Sequence, residues 1–276
     1  MVVSKADANK SLQDFLALKL GLSKRAAKNL LDQRTVWVNR KVVWMAHHTL
    51  HAGDTVEVPS SQHQAEKVAP VKIRVLVEDD DFLVADKPSG MLAVGENSAE
   101  EQLRAQTGLA TLQAVHRLDR DTTGCLLFAK NAAAFAAAVA VFKTRRVTKI
   151  YHAIVFGVYD RTVSTIDQDL DGERAVSHIQ REAYSKDATF LKVRIETGRT
   201  HQIRRHLASI RHPVLGDREH GLKFARDPRL MTVPRQMLHA SGLELPHPTK
   251  SGETIKAHSP LPADFRRCLR LFDMGK

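Results

Sequence analysis

The densest group of chemically capable side chains in the sequence lies at residues 116–124, directly before a short apolar run. Asp119 and Asp121 supply carboxylates there, Arg117 and Arg120 supply guanidinium groups, and a histidine opens the segment. A carboxylate beside a buried strand can act as a nucleophile, as a general acid or base, or as a stabiliser of positive charge. On composition alone, an aspartate that is simply ion-paired in a basic loop is the commoner case, so further motifs are needed.

Other motifs follow on both sides of this segment. They read Lys-Pro-Ser-Gly-Met at 87–91, Lys-Ile-Tyr-His-Ala at 149–153, Gly-Arg-Thr-His-Gln-Ile-Arg at 198–204, His-Pro-Val-Leu-Gly-Asp at 212–217, Leu-His-Ala at 238–240 and Pro-Leu-Pro at 260–262. Each has an ordinary structural explanation when it stands alone, since a Pro-Gly pair favours a turn and a strand tyrosine is more often a core residue. Chance does not explain the whole set in this order.

Taken together, the motifs resemble those of the RluA-type pseudouridine synthases, and the match covers nearly all of residues 71–264. The resemblance implies an isomerase that converts uridine to pseudouridine within RNA and needs no cofactor and no metal ion. It places the family's nucleophilic aspartate on Asp119 and its active-site tyrosine on Tyr151. It also makes Arg204 the cationic partner of Asp119.

The chemistry explains why these residue types are needed. A carboxylate that must stay ionised in a desolvated pocket requires a cation beside it. We expect Arg204 to lie at the edge of the buried stripe of a helix over 201–210, with Thr200 as its N-cap. A uridine in folded RNA must be flipped out of its stack, and stacking on Tyr151 would offset part of that cost. Whether the tyrosine also transfers a proton is left open.

Four further residues near these motifs are expected to contact RNA. Arg117 and Arg120 flank Asp119, and phosphate contacts from them would position the RNA without reading its sequence. Arg199 is the alternative partner for Asp119, although we expect it to serve its own loop or a phosphate. His201 is assigned to substrate binding.

A composition break at residues 59–70, with proline at each end and a polar middle, predicts a linker. It separates a module over 1–58 from a catalytic domain over 71–276. The module resembles the S4-type RNA-binding domain, in which two helices and a hairpin present basic side chains to RNA. That resemblance assigns RNA contacts to the basic residues Lys24, Arg25, Lys28 and Arg40.

Hydrophobic periodicity predicts the elements that must position these residues. In the module, leucine and phenylalanine recur at helical spacing over 12–20, and Ser23 is a good N-cap for a second helix. After the linker, strands dominate, with an alanine-rich helix over 131–142. Strands in runs, with helices between some of them, predict an α+β fold with a mixed or antiparallel sheet.

Composition and charge limit the classes of function. The formal net charge of +11 attracts polyanions, and RNA is the leading partner. Two cysteines cannot build a disulfide framework or a closed zinc site by themselves. No stretch reaches the roughly 20 apolar residues of a membrane span, so we expect a cytoplasmic monomer without a membrane partner.

Two possible metal sites are judged unfavourable. The spacing of the aspartates over 167–172 begins like an EF-hand loop, but position twelve would be His178 and strands flank it. A polar hairpin turn is the better interpretation. The histidines at 47, 48 and 51 lack a matching cysteine or carboxylate cluster.

The RNA substrate and two other classes of function remain open. Ribosomal RNA of the large subunit is the first expectation, because a separate RNA-binding module suits a large structured RNA, and transfer RNA is the second. A catalytically silent RNA-binding or ribosome-assembly factor is the first alternative class. A glycosidic-bond hydrolase is the second, although such enzymes generally pair two carboxylates and only Asp121 lies near Asp119.

Overall fold

The computed structural model of the protein describes residues 1–32, 36–39, 41–58, 72–144, 146–221 and 227–275. The chain divides into two compact units, Met1–Pro70 and Val71–Lys276. The segment expected to be a linker, 59–70, lies outside the described residues, as do Arg40 and the side chain of Arg25.

The first unit is a small α/β module with its own core. Its elements are a 3-10 turn (Lys5–Asp7), α1 (Leu12–Leu20), α2 (Lys24–Asp32), β1 (Trp37–Val38), β2 (Lys41–Val42) and β3 (Val56–Glu57). The strands form an antiparallel sheet in the order β2-β1-β3. The expected N-cap of α2 is present, because Ser23 Oγ accepts from the Ala26 N–H at 3.2 Å. Leu12, Leu16 and Leu31 are fully buried between helices and sheet.

The second unit is built on a ten-stranded sheet. Its strands are β4 (Arg74–Glu78), β5 (Phe82–Lys87), β6 (Gln113–Ala114), β7 (Thr123–Ala129), β8 (Thr148–Phe156), β9 (Val163–Asp167), β10 (Val176–Tyr184), β11 (Ala188–Ile195), β12 (Leu238–Pro246) and β13 (Thr254–His258). The order is β4-β5-β7-β12-β8-β11-β10-β9, with β13 paired to β12 and β6 to β7. The helices are α3 (Ala99–Thr107), α4 (Ala132–Phe142), α5 (Gln202–Ser209), α6 (Pro228–Met231) and α7 (Ala263–Leu271).

Strand β7 lies in the middle of this unit and is buried on both faces. Leu126 and Phe128 belong to the larger hydrophobic core, whereas Cys125 and Leu127 belong to a second core that includes α4. This two-sided burial explains why the strand reads as a continuous apolar run instead of an alternating one.

The sheet is mixed, so the predicted α+β class is confirmed. Of the strand pairs in the described part of the chain, β7 and β12 are the pair that runs parallel, with His239 opposite Thr123 and Ala240 opposite Gly124. Their backbones approach closely at Gly124, which has φ +110°. A Cβ at that position would lie 2.1 Å from the carbonyl oxygen of Ala240, so the contact requires glycine.

One sequence expectation is wrong, and one helix was not predicted. The helix expected over 201–210 begins at Gln202, and its N-cap residue is His201, not Thr200. The C-terminal segment, which was assigned only its Pro-Leu-Pro motif, forms α7, with Phe265 and Phe272 fully buried. Among the described residues, no helix has both the length and the apolar character that a membrane span requires.

Candidate active site

Asp119 lies on the loop that leads from β6 into β7. The loop is closed by a turn in which the Thr122 N–H donates to the Asp119 carbonyl at 3.1 Å. Its beginning is fixed by His116, whose Nε2 accepts from the Leu127 N–H of β7 at 3.1 Å. Burial lowers the pKa of His116 to about 4, so the imidazole stays neutral and keeps its acceptor nitrogen.

Lys87, from the 87–91 motif, holds the loop that carries Asp119 in place through hydrogen bonds. Lys87 is fully buried at the end of β5, and its Nζ donates to the carbonyls of Pro88, Met91 and Arg120 at 2.7, 2.7 and 2.8 Å. Burial lowers the pKa of Lys87 to about 7, against the attraction of nearby carboxylates. The motif therefore does more than form a turn, because it ties that turn to the residue following Asp119.

Helix α5 brings Arg204 to Asp119. The guanidinium Nη1 lies 3.2 Å from Asp119 Oδ2, across 85 residues of sequence. The Arg204 side chain is 6% exposed and that of Asp119 is 19% exposed, so the pair is largely shielded from water and the carboxylate still faces an opening. The contact places a shielded positive charge directly against the carboxylate.

A second carboxylate, Asp217, holds Arg204 in place. Its oxygens accept from Arg204 Nε at 2.6 Å and from Nη2 at 2.8 Å, and its side chain is fully buried. Burial alone would lower the pKa of Arg204, but the hydrogen bonds to Asp217 and the charge of Asp119 raise it above its ordinary value. Arg204 is therefore permanently charged, with one edge committed to Asp217 and Nη1 directed to Asp119.

The loop before α5 is anchored by a buried glutamine. Gln202 Oε1 accepts from Thr197 Oγ1 at 2.7 Å and from the Arg199 N–H at 3.1 Å, while its Nε2 donates to the Val176 carbonyl at 2.9 Å. The next residue back, His201, has φ +53°, a left-handed conformation that costs a non-glycine residue about 1 kcal/mol. This conformation turns the imidazole towards Asp119, whose Oδ1 lies 3.8 Å from His201 Nε2.

Glu219 and His220, which follow Asp217 in the chain, both approach the imidazole of His201. His201 Nδ1 lies 3.0 Å from His220 Nε2 and 3.4 Å from Glu219 Oε1. The other oxygen of Glu219 lies 3.4 Å from Arg204 Nη2. The sequence reasoning did not assign Glu219 or His220 to the site.

Tyr151 lies on β8, one strand beyond β12, and forms part of the hydrophobic core beside the cleft. Burial, with a smaller contribution from the charge of Asp119, raises the pKa of its phenol well above the ordinary range. The hydroxyl is therefore protonated at neutral pH, so it can donate a hydrogen bond but does not supply a phenolate.

These side chains line one open cleft of about 520 Å³, solvent at its mouth included. The lining residues are Arg117, Leu118, Asp119, Thr122, Tyr151, Ile195, Gly198, Arg199, Thr200, His201, Gln202, Ile203, Arg204 and Leu238. Six residues singled out from the sequence are thus brought together.

Four residues that were expected to contact RNA either lie in the first unit or are bonded to neighbouring protein groups. Arg199 pairs with Glu173 and donates from Nε to the Arg174 carbonyl at 3.2 Å, so it braces its own loop. Arg120 is half-buried and contributes its carbonyl to Lys87. In the first unit, Lys24 and Lys28 are exposed on α2, and Lys24 Nζ lies 2.8 Å from Asp14.

One further buried arginine was missed from the sequence. Arg235 donates to both oxygens of Asp264 on α7, at 2.6 and 3.0 Å, and from Nη1 to the Asp121 carbonyl at 3.0 Å. It therefore connects the loop carrying Asp119 to the last helix. Its partners are a backbone carbonyl and a distant carboxylate, so nothing in its local sequence marks this role.

Comparisons with known proteins agree with this arrangement. The family described as RNA pseudouridylate synthase matches residues 81–209. The ribosomal large subunit pseudouridine synthase D of Pseudomonas aeruginosa is 35% identical over 255 residues, which cover 80% of this chain and 79% of that protein. The enzyme of the same name from Haemophilus ducreyi is 31% identical over 279 residues, covering 88% and 84%.

A solved structure gives the same result for the fold. Human RNA Pseudouridylate Synthase Domain Containing 1 superposes with a TM-score of 0.62 at 25% identity, covering 74% of this chain and 90% of the human one. The part matched by the family model contains the loop that carries Asp119, and also Tyr151 and Arg204. The chain therefore belongs to the RNA pseudouridine synthases of the RluA type.

Proposed function

We propose that this protein isomerises uridine to pseudouridine in ribosomal RNA of the large subunit, with Asp119 as its nucleophile. The observation that carries the proposal is the 3.2 Å contact between Asp119 and the shielded Arg204 in an open cleft. A carboxylate that is fixed by a cation and still faces an opening is what an attack on a bound nucleotide requires.

The choice of ribosomal RNA rests on the relatives. Enzymes named for the large ribosomal subunit are 31–35% identical and span about four-fifths or more of both chains. The net charge of +11 suits a polyanionic substrate of this kind. Transfer RNA is the second substrate to be tested.

The reaction breaks the bond between uracil N1 and the sugar C1′, turns the base, and forms a bond between C5 and C1′. The hydrogen on C5 leaves as a proton and N1 gains one, so the atoms of uridine are conserved. Asp119 either attacks covalently or stabilises the positive charge that develops at the sugar. Arg204 holds the Asp119 carboxylate in position beside the opening.

Tyr151 is assigned to the base. Its ring is fixed in the core at the side of the cleft, where it can support a uracil that has left its stack. The protonated hydroxyl can donate a hydrogen bond to the base while it is detached. Arg117, Arg120 and His201 are assigned to the surrounding nucleotides, with Arg199 bracing the loop that presents His201.

The first unit is assigned to RNA outside the cleft. Lys24 and Lys28 lie exposed on α2, and the resemblance to an S4-type module assigns the same role to Arg25 and Arg40. Contacts from these residues would be to phosphates and would add affinity without selecting the uridine.

The test is release of tritium from RNA labelled at C5 of uridine, because the product has the same mass as uridine. The wild-type protein should release tritium from large-subunit ribosomal RNA faster than from transfer RNA. Asp119→Asn should lower release by at least about 1,000-fold, the scale expected when a nucleophile is removed. Asp121→Asn changes a carboxylate two residues away and should retain activity within a few-fold.

Three other results would contradict the proposal. Activity retained in Asp119→Asn would remove the nucleophile assignment. Free uracil in the medium would indicate a hydrolase. Tight binding of both RNAs by the wild-type protein without release of tritium would favour a silent assembly factor.

A further inference from the structure

Three potential metal ligands meet at the mouth of the cleft. They are His201 Nδ1, His220 Nε2 and Glu219 Oε1. The two histidine nitrogens are 3.0 Å apart, His201 Nδ1 lies 3.4 Å from Glu219 Oε1, and His220 Nε2 lies 3.6 Å from the same oxygen. Imidazole and carboxylate together are a ligand set that zinc and neighbouring transition metals favour.

Two of these three separations match a tetrahedral metal ion. Zinc bonds to nitrogen and oxygen of about 2.0–2.2 Å place neighbouring donors in a tetrahedron about 3.3–3.6 Å apart. Both distances to Glu219 Oε1 lie in this range, whereas the two histidine nitrogens, hydrogen-bonded at 3.0 Å, must move apart by a few tenths of an ångström to bind the ion. Three protein ligands would leave the fourth position open to water or to a substrate atom.

The residues that carry the donors are fixed before any metal arrives. Asp217 Oδ1 accepts from the backbone N–H groups of Glu219 and His220 at 2.9 and 3.0 Å, which shapes the turn that presents both side chains. His201 is held in its left-handed conformation at the start of α5. The backbone of the site therefore needs little ordering when it binds a metal, and the Glu219 side chain, which is 60% exposed, is the ligand that must be ordered.

The outer contacts of the cluster lead to the reaction centre. A metal-bound histidine usually directs its other ring N–H to a carboxylate, and His201 Nε2 faces Asp119 Oδ1 at 3.8 Å. Glu219 Oε2 lies 3.4 Å from Arg204 Nη2, so Glu219 would bridge the metal and the arginine.

From this geometry we propose that His201, Glu219 and His220 form an inhibitory Zn²⁺ site at the entrance to the cleft. The ion would be held by His201, whose ring lines the cleft, and would add positive charge near the space that the base must enter. Zinc therefore competes with RNA for the cleft. The inhibitory part rests on the proposed function, whereas binding of the metal does not.

Binding is tested without any activity measurement by titrating the full-length protein with Co²⁺ and recording its visible absorption, which is intense for a tetrahedral ion. The wild-type protein should show this band, and Zn²⁺ should abolish it. His220→Gln removes one of three ligands, so it should weaken Co²⁺ binding by more than the roughly 10- to 100-fold typical for loss of an outer contact. His258→Gln, at the exposed end of β13, is the matched control and should bind as wild type.

Inhibition is tested by tritium release with increasing Zn²⁺. The rate of each protein without zinc is its own reference. Relative to that rate, His220→Gln should resist inhibition, and zinc should raise the KM for RNA in the wild-type protein but not lower its kcat. If His220→Gln misfolds, Glu219→Gln gives a second variant for the Co²⁺ titration. Equal Co²⁺ spectra or equal zinc sensitivity in wild type and His220→Gln would overturn the proposal. An inactive wild-type protein that shows the band would instead count against the proposed function.

Discussion

At the scale of single residues, Asp217 helps to order the site, although its side chain does not line the cleft. It is fully buried, and both its oxygens are engaged by Arg204. Burial would raise the pKa of Asp217, but the hydrogen bonds to Arg204 hold it below its ordinary value. The two groups therefore keep each other charged, and Arg204 owes its fixed direction to Asp217. We describe Asp217 as a positioning residue, because it acts on Asp119 through the arginine.

Removing the charge of Asp217 should affect both stability and turnover. Breaking a buried ion pair costs about 3–5 kcal/mol of unfolding free energy, and Asp217→Asn keeps the shape but loses the charge. We expect kcat to fall at least tenfold with a small change in KM for RNA, measured by tritium release and by urea unfolding.

The matched control for this prediction is Asp187→Asn. Asp187 also pairs with an arginine, Arg229, but both side chains are about one-third exposed, and such pairs contribute roughly 0–1 kcal/mol. Equal losses in the two variants would show that Asp217 has no special role in holding Arg204.

At the scale of elements, the site depends on the parallel contact between β7 and β12. Gly124 combines a positive φ with a backbone approach that leaves no room for a Cβ. In Gly124→Ala the new atom would have to displace the Ala240 carbonyl, and we expect loss of at least about 3 kcal/mol of unfolding free energy or failure to fold.

Gly252 separates the cost of a positive φ from the cost of the close backbone contact. Gly252 also has a positive φ, +82°, but a Cβ there meets nothing within 4 Å. Gly252→Ala should therefore lose only the conformational cost of about 1–2 kcal/mol. Chemical unfolding of both variants measures the difference. A comparable loss in the two would mean that the β7–β12 approach is not tight.

The helices and strands show how much of the fold could be predicted from the sequence. Strands with continuous or alternating apolar patterns, such as β7 and β11, were predicted from periodicity and are confirmed. Edge strand β9 was missed, because Val163–Asp167 is largely exposed and has few apolar residues. Helix α7 was not predicted, although Phe265, Leu269 and Phe272 have helical spacing. In this region only the Pro-Leu-Pro motif that precedes the helix was interpreted.

For the site itself, family motifs placed Asp119, Tyr151 and Arg204 in one cleft. They did not identify Asp217, Lys87 and Arg235 as the supports of that cleft. Lys87 and Arg235 donate to backbone carbonyls that are distant in sequence. Asp217 accepts from Arg204, which belongs to a different motif. Such partners follow from the packed structure and leave no local pattern to detect.

At the scale of the whole molecule, RNA binding is expected to involve both units, each with its own core. Each lysine that meets a phosphate contributes about one unit to the slope of log affinity against log salt. Replacing Lys24 and Lys28 together by glutamine should therefore lower the slope by roughly one to two units. The measurement is binding of ribosomal RNA by the full-length protein at several salt concentrations.

The control for the salt experiment is the pair Lys250→Gln and Lys256→Gln. These lysines lie in the second unit, outside the proposed RNA surface, and each is paired with a carboxylate, as Lys24 is with Asp14. Their removal should leave the slope nearly unchanged. An equal change in both double variants would show that net charge matters and that the first unit has no dedicated RNA surface.

The link from Arg235 to Asp121 and Asp264 has a consequence for the order in which the protein is made. The loop carrying Asp119 is fixed by residues that are translated more than a hundred positions later, and β12 must pair with β7 before Gly124 is enclosed. Contacts of such long sequence separation form late, because the intervening chain must first be closed into a loop. We therefore expect a nascent chain on the ribosome to acquire a working reaction centre only after α7 has emerged, so partly synthesised copies do not modify RNA.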